Sequence, residues 1–297
     1  MGVGSICGLF GKSRQGYYKQ QRTGQSQAMQ AAIIVQTVQQ IRTTQKRVGT
    51  RKLHQMMSVP LQQQGISIGR DKLFDLLASN KLLIRQRKRR RPTTTDSNHP
   101  FRKYPNLIKG LDVKYANQVW VSDITYLSLS AARFCYLSLI TDVYSRKIVG
   151  YCLYPSLKKE GPLAALNMAL QARSSSIFYK TIHHSDRGLQ YCSKEYIALL
   201  CKNDTAISMT ENGDPAENAI AERVNGILKS EFLLDRQFAS FKDAAIAVRE
   251  AVQTYNLLRI HSSRNYLTPQ QAYSQAAGTL PCRWKRRQKT IVNQIQD

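Results

Sequence analysis

Three consecutive segments, Val119 to Leu129, Phe134 to Val143 and Ile148 to Tyr154, alternate in hydropathy, are rich in β-formers and are joined by short connections. Connections this short suit antiparallel neighbours, because a parallel crossover needs a dozen residues or more. The pattern then changes. Gly161 to Arg173 reads as a helix with Leu163, Leu166, Met168 and Leu170 in its apolar positions. Thr181 to Asp186 is a short strand ending in a polar turn, and Ala206 to Met209 another. Ser193 to Asn203 lies between them as a helix, with Ser193 as its candidate N-cap. Pro215 to Leu234 and Phe241 to Ile260 read as two long helices. Three antiparallel strands followed by alternating helices and strands give an RNase H-like α/β core, a mixed five-stranded sheet with flanking helices.

The part before this core has a different character. Ala28 to Arg42 reads as a helix with Met29, Ile33, Ile34, Val38 and Ile41 on one face. Gly49 to Met57 and Gly69 to Leu83 follow as two more, separated by a Gln- and Gly-containing turn. A small basic helical domain of helix–turn–helix type is expected here, a common way to place a helix in the DNA major groove. The run Arg85, Arg87, Lys88, Arg89, Arg90 and Arg91, followed by Pro92, carries too much like charge to fold alone and reads as a linker that neutralises phosphates. The expected boundaries are 1–84 for the helical DNA-binding region, 85–112 for the basic linker, 113–275 for the RNase H-like core and 276–297 for a basic tail.

The net charge of +25 over 297 residues is unevenly placed. Residues 1–110 hold 21 Lys and Arg against three acids, and no acid precedes Asp71. This asymmetry points to a polyphosphate partner, with the acids kept for the second half. The six Cys form no C-x-x-C pair and the five His lack finger spacing, so a structural zinc site is excluded. No apolar run approaches the roughly 20 residues a membrane span needs, and no secretory signal is present. The expectation is a soluble, cytoplasmic protein with no membrane association.

Within the core, three carboxylates stand out. Asp123 lies inside an apolar strand, where an acid costs several kcal/mol unless paired, hydrated or bound to metal. Asp186 ends a later strand. Glu222 lies on a helix further on, with 35 residues between it and Asp186. At about 100° per residue, Ile220, Val224, Ile227, Leu228 and Phe232 form the core face of that helix. Asn218, Glu222, Asn225 and Lys229 cluster on another face. Three acids in strand, strand and helix contexts can converge on two hard divalent cations about 4 Å apart, the arrangement that clamps the attacking and leaving oxygens of a phosphodiester. Asp142, which also ends a strand-like run, rivals Asp123, and Glu217 rivals Glu222.

The motifs Trp120-Val-Ser-Asp123-Ile-Thr-Tyr126, Asp142-Val-Tyr-Ser-Arg-Lys-Ile-Val-Gly150, His184-Ser-Asp186-Arg-Gly-Leu-Gln-Tyr191 and Asn218-Ala-Ile-Ala-Glu222 with Lys229 resemble the OrfB-type part of the insertion sequence three family. That family belongs to the DDE transposase and retroviral integrase superfamily. Tyr266-Leu-Thr-Pro269 and the N-terminal helices extend the likeness over nearly the whole chain. The chain departs from the pattern at Ala216 and Glu217, where the family commonly has Tyr and Asp.

The resemblance implies a transposase that cuts and joins DNA with two Mg²⁺ ions, for which Mn²⁺ substitutes. It makes Asp123, Asp186 and Glu222 the catalytic metal ligands and Lys229 a DNA contact. Asn225 and the basic run Arg85–Arg91 are expected to touch DNA as well, with His184 and Asn218 supporting the site from behind. The expected partners are the element's terminal repeats, target DNA, a second copy of the chain and an OrfA protein or fusion. Two other readings fit the same acids: an RNase H-type nuclease that does not join, and a DNA-binding regulator of transposition.

Overall fold

The computed structural model describes residues 3–84, 100–173, 180–211 and 218–280. The chain divides into two compact units, Met1–Arg89 and Arg90–Asp297.

The first unit is helical: α1 (Val3–Leu9), α2 (Arg14–Thr44), α3 (Thr50–Gln63) and α4 (Arg70–Ser79). Its core joins Ile34 and Val38 of α2 to Val48, Leu53, Met57, Leu61, Ile66, Leu73 and Leu77. Of the apolar face expected over 28–42, Ile33, Ile34, Val38 and Ile41 pack into this core as part of a longer helix, while Met29 is exposed. The helix starts at Arg14, where the Ser13 hydroxyl accepts a bond from the Gly16 amide at 3.0 Å. The helix expected over Gly69 to Leu83 is α4, which stops at Ser79. The Asn80 side chain donates to the Leu76 carbonyl, and Lys81 turns to φ 56°, which ends the helical path.

In the second unit, five strands form one sheet among the described residues. They are β1 (Val119–Ser128), β2 (Phe134–Asp142), β3 (Ile148–Tyr154), β4 (Ile182–Ser185) and β5 (Ala206–Met209), in the order β3-β2-β1-β4-β5. The first three run antiparallel, while β4 and β5 continue parallel to β1. The helices are α5 (Glu160–Ala172), α6 (Lys194–Lys202), α7 (Ala219–Glu231), α8 (Phe241–Leu257) and α9 (Pro269–Tyr273). Alternation along the strands divides the core. Leu127, Leu137 and Leu139 pack with Val224, Ile227 and Leu228 of α7 and Val248 and Val252 of α8. Trp120, Ile140 and Val149 pack with Leu166 of α5 and Tyr196 and Leu200 of α6. This is the mixed, helix-flanked RNase H-like core expected from the sequence.

Four details describe the frame. A Cβ on Gly150 would sit 2.1 Å from the Ala165 carbonyl oxygen, so glycine is what lets α5 lie on β3. Arg259 makes two bonds, 2.8 and 2.9 Å, to the Glu231 carboxylate, tying the end of α7 to the segment after α8. Residues in the second half of the expected linker are part of this unit. Leu107 N donates to the Ser208 hydroxyl at 2.8 Å, and Ile108 packs against Val119 and Val121. The Ser193 hydroxyl bonds to the Gln190 carbonyl and leaves the start of α6 without a side-chain cap.

Candidate active site

The sheet brings two of the acids together. Trp120 pairs with His183 and Val121 with His184 in the parallel β1–β4 ladder. Continued two residues, that register sets Asp123 beside Asp186, which follows the last residue of β4. Strand neighbours are about 4.8 Å apart. Glu222 arrives from α7, in whose first turn its charge meets the positive end of the helix dipole, and its side chain is exposed.

The two aspartates are held differently. Asp123 accepts from the Asn225 side-chain amide at 2.7 Å on one oxygen and from the Ile124 backbone N–H at 2.9 Å on the other. Asp186 accepts from Gly188 N at 3.0 Å, and a Cβ on Gly188 would press within 3.0 Å of that same carboxylate oxygen. The Asp123 carboxyl is pushed up to about 7, by burial first and then by Asp186. The bonds from Asn225 and Ile124 oppose the rise, and Glu222 adds to it. All three acids thus lie in one electrostatic neighbourhood. Among the described residues no three His, Cys, Asp or Glu side chains are gathered closely enough to hold a metal. These facts agree, because Coulomb repulsion reaches further than a coordination bond.

Asp142 is spent elsewhere. It is fully buried and accepts from Asn117 N at 2.8 Å, from Ser145 N at 2.7 Å and from the Ser145 hydroxyl. Burial raises its pKa, and those bonds work against the rise. Its bonds serve the turn after β2. Glu217 and the basic run Arg85, Arg87, Lys88, Arg89, Arg90 and Arg91 lie outside the described residues.

On α7, the face read from the helical phase does not all point outward. Asn225 is only 6% exposed, so the DNA contact expected of it gives way to its bond with Asp123. The wheel gave its direction but not the depth of the groove between α7 and β1. Asn218 is also buried, and its amide donates to the Ser122 carbonyl at 3.0 Å. The carbonyl oxygens of both asparagine side chains are buried with no hydrogen-bond partner among the described residues. Lys229 holds its ammonium 4.2 Å from the centre of the Tyr126 ring.

His184 is buried, with Nδ1 sharing a 2.8 Å bond with the Ser208 hydroxyl. Its neighbour His183 drew no attention in the sequence, yet Nε2 meets the Ser122 hydroxyl at 2.6 Å and the Tyr196 hydroxyl at 2.9 Å. Burial, and then the adjacent His184, push its pKa down to about 3, so this ring is neutral. The only sequence sign of this network was a Ser and a His one residue before an Asp and a His in partner strands.

Two models, each described as integrase core domain, match residues 114–215 and 203–269. The insertion element IS600 uncharacterized 31 kDa protein of Shigella sonnei is 35% identical over 269 residues, which cover 89% of this chain and 96% of that one. The transposase for insertion sequence element IS629, also of Shigella sonnei, is 29% identical over 280 residues, covering 91% of each chain. Transposase InsF for insertion sequence IS3fB of Escherichia coli K12 is 34% identical over 160 residues, 54% of each. The solved structure of the HTLV-2 integrase catalytic core domain in complex with magnesium (trimeric form) is similar at 18% identity and a TM-score of 0.43, over 55% of this chain and 99% of that one. The sequence matches alone carry the assignment: the chain belongs to the insertion sequence three family of DDE transposases, within the retroviral integrase superfamily.

Proposed function

We propose that Asp123, Asp186 and Glu222 form the catalytic centre of a transposase that cuts and joins the ends of its element using two Mg²⁺ ions. The observation that carries this reading is the state of Asp123: a buried acid raised to about 7 and crowded by two other acids. That arrangement is unfavourable by itself and becomes favourable when cations cancel the repulsion. The donor set fits: hard carboxylate oxygens suit Mg²⁺, and the asparagine carbonyl oxygens of Asn218 and Asn225 stand beside them without partners among the described residues. Bound there, the ions would raise the acidity of the attacking oxygen and offset charge on the leaving one.

The chain's own residues do the rest. Asn225 fixes the direction of the Asp123 carboxylate, and the Gly188 N–H fixes that of Asp186. Asp123 would hold a cation as the carboxylate, its proton given up to solvent. Glu222 and Lys229 lie two turns apart on one helix face, so Glu222 would hold a cation at the reacting phosphate while the ammonium takes a neighbouring one. The attack needs no protein nucleophile. The basic linker residues Arg85, Arg87, Lys88, Arg89, Arg90 and Arg91 hold flanking phosphates, and two copies of the chain, with or without an OrfA partner, bring two ends together in the cytoplasm.

The test is strand joining in Mg²⁺ with labelled duplexes of the element's ends, comparing the unaltered chain with Asp186→Asn. Joined product from the unaltered chain alone supports the reading. Cutting without joining makes the chain a nuclease. End-specific binding with no product from either makes it a regulator, and product from Asp186→Asn overturns the site.

A further inference from the structure

Beyond Asp123, the sheet carries a row of aromatic side chains. Tyr126 on β1 registers with Tyr136 on β2, and Tyr136 with Tyr154 on β3. Registered partners share a face and sit about 5 Å apart. Phe134, two residues before Tyr136, shares that face, and its ring meets Tyr126 edge-on at 5.5 Å.

This end of the face lies past the start of α5. Gly161, in the first turn of α5, is the residue whose Cβ would meet Tyr154 and Ser138. Tyr136 and Phe134 lie further toward the β1–β2 hairpin. The three tyrosines are half-buried and Phe134 is 46% exposed. Cations border the row: the Lys229 ammonium over Tyr126, exposed Arg133 next to Phe134 and exposed Lys158 four residues after Tyr154.

We infer that this face is a binding track for an unpaired DNA strand, with bases stacking on Phe134 and Tyr136 and phosphates taken by Lys229 and Arg133. Exposed aromatic rings interleaved with cations are the chemistry that holds single strands without regard to sequence. Duplex DNA hides its base faces and gains nothing from such rings. The row begins three residues along β1 from Asp123, about 10 Å away and on the opposite face of the sheet. Lys229, on the helix that bonds to Asp123, holds its ammonium over the Tyr126 ring and links the two, so a strand separated at the reacting phosphate can follow it to the row within a few nucleotides. The inference adds a ligand to the proposed DNA chemistry, and its test needs no catalysis.

A fluorescein-labelled dT15 strand carrying iododeoxyuridine, and a blunt 15-base-pair duplex, would be bound to the full chain in EDTA at 150 mM salt, then irradiated and mapped by peptide mass spectrometry. Crosslinks in the peptide spanning Phe134–Tyr136 are expected. Phe134→Ser and Tyr136→Val should each weaken dT15 about ten-fold and leave the duplex within two-fold. Tyr136→Phe, which keeps the ring, should match the unaltered chain. Crosslinks confined to other segments, equal weakening of both probes, or no weakening of dT15 would each overturn the track. A chain that fails to join DNA can still pass this test, and one that joins can still fail it.

Discussion

The side-chain amide of Asn225 donates a 2.7 Å hydrogen bond to the carboxylate of Asp123, across 102 residues of sequence. It joins the helix that carries Glu222 to the strand that carries Asp123. Replacing Asn225 with Ala frees that carboxylate to rotate. Partners that orient a metal ligand are typically worth 10–100-fold in metal affinity or activity. Asn225→Ala should therefore raise the Mg²⁺ concentration for half-maximal joining by about that factor while duplex binding in EDTA stays within two-fold. A loss of duplex binding in EDTA would show that Asn225 touches DNA after all.

The raised pKa of Asp123 makes a stability prediction with a definite sign. Its folded value of about 7 lies above the ordinary 3.8, so the folded chain holds a proton that the unfolded chain has lost between those values. Stability of the metal-free protein should fall as pH rises from about 4 through 7. Asp123→Asn removes the cost of the buried charge, so the variant should melt higher than the unaltered chain at pH 8 in EDTA and show no joining. Equal melting points at pH 8 would contradict the buried, crowded state of this carboxylate.

Substituting Asp142 should lower stability rather than raise it. Its oxygens accept three bonds from Asn117 and Ser145. Removing the acceptor leaves buried donors unpaired, at a cost of about 1–3 kcal/mol. Asp142→Ala should lower the melting temperature and keep the Mg²⁺ dependence of whatever joining survives. A shifted Mg²⁺ dependence with normal melting would promote Asp142 to the site.

Gly150→Ala tests the contact between β3 and α5. The added methyl carbon would overlap the Ala165 carbonyl, a backbone atom that cannot swing aside. A loss of about 3 kcal/mol or more is expected from chemical denaturation, with insoluble expression as the severe form. Unchanged stability would mean that the helix and strand separate more easily than their packing implies.

Much of this was legible before any coordinates. The three antiparallel strands, the two short strands after them and the intervening helices follow from period and punctuation, and β3 and β5 match to the residue. The strand-end position of Asp186 and the helix face of Glu222 were equally readable. Depth was not. Asn225 and Glu222 share one arc of a wheel, yet one is buried and the other exposed, because only tertiary packing sets how far the groove beside β1 reaches. Helix ends were misjudged where a cap rather than an apolar stripe decides them, as at Ser13 and Asn80. The role of Asp142 needed Asn117, 25 residues away, to become visible.

The strands of the sheet are unequal: β4 spans four residues, while its neighbour β1 spans ten. Where β4 stops at Ser185, β1 runs on without a strand neighbour on that side until Phe238 bonds to Ser128 and Ser130 at its far end, and the sheet has a step in it. Asp123 stands on the tread, Asp186 caps the riser, and α7 leans over with Glu222. Reactivity here comes from a strand that ends early. Two more paired residues in β4 would carry Asp186 into the ladder and fill the step with backbone, so insertions after Ser185 should be far less tolerated than insertions in the hairpin at Ala131–Ala132, where the chain already turns with positive φ.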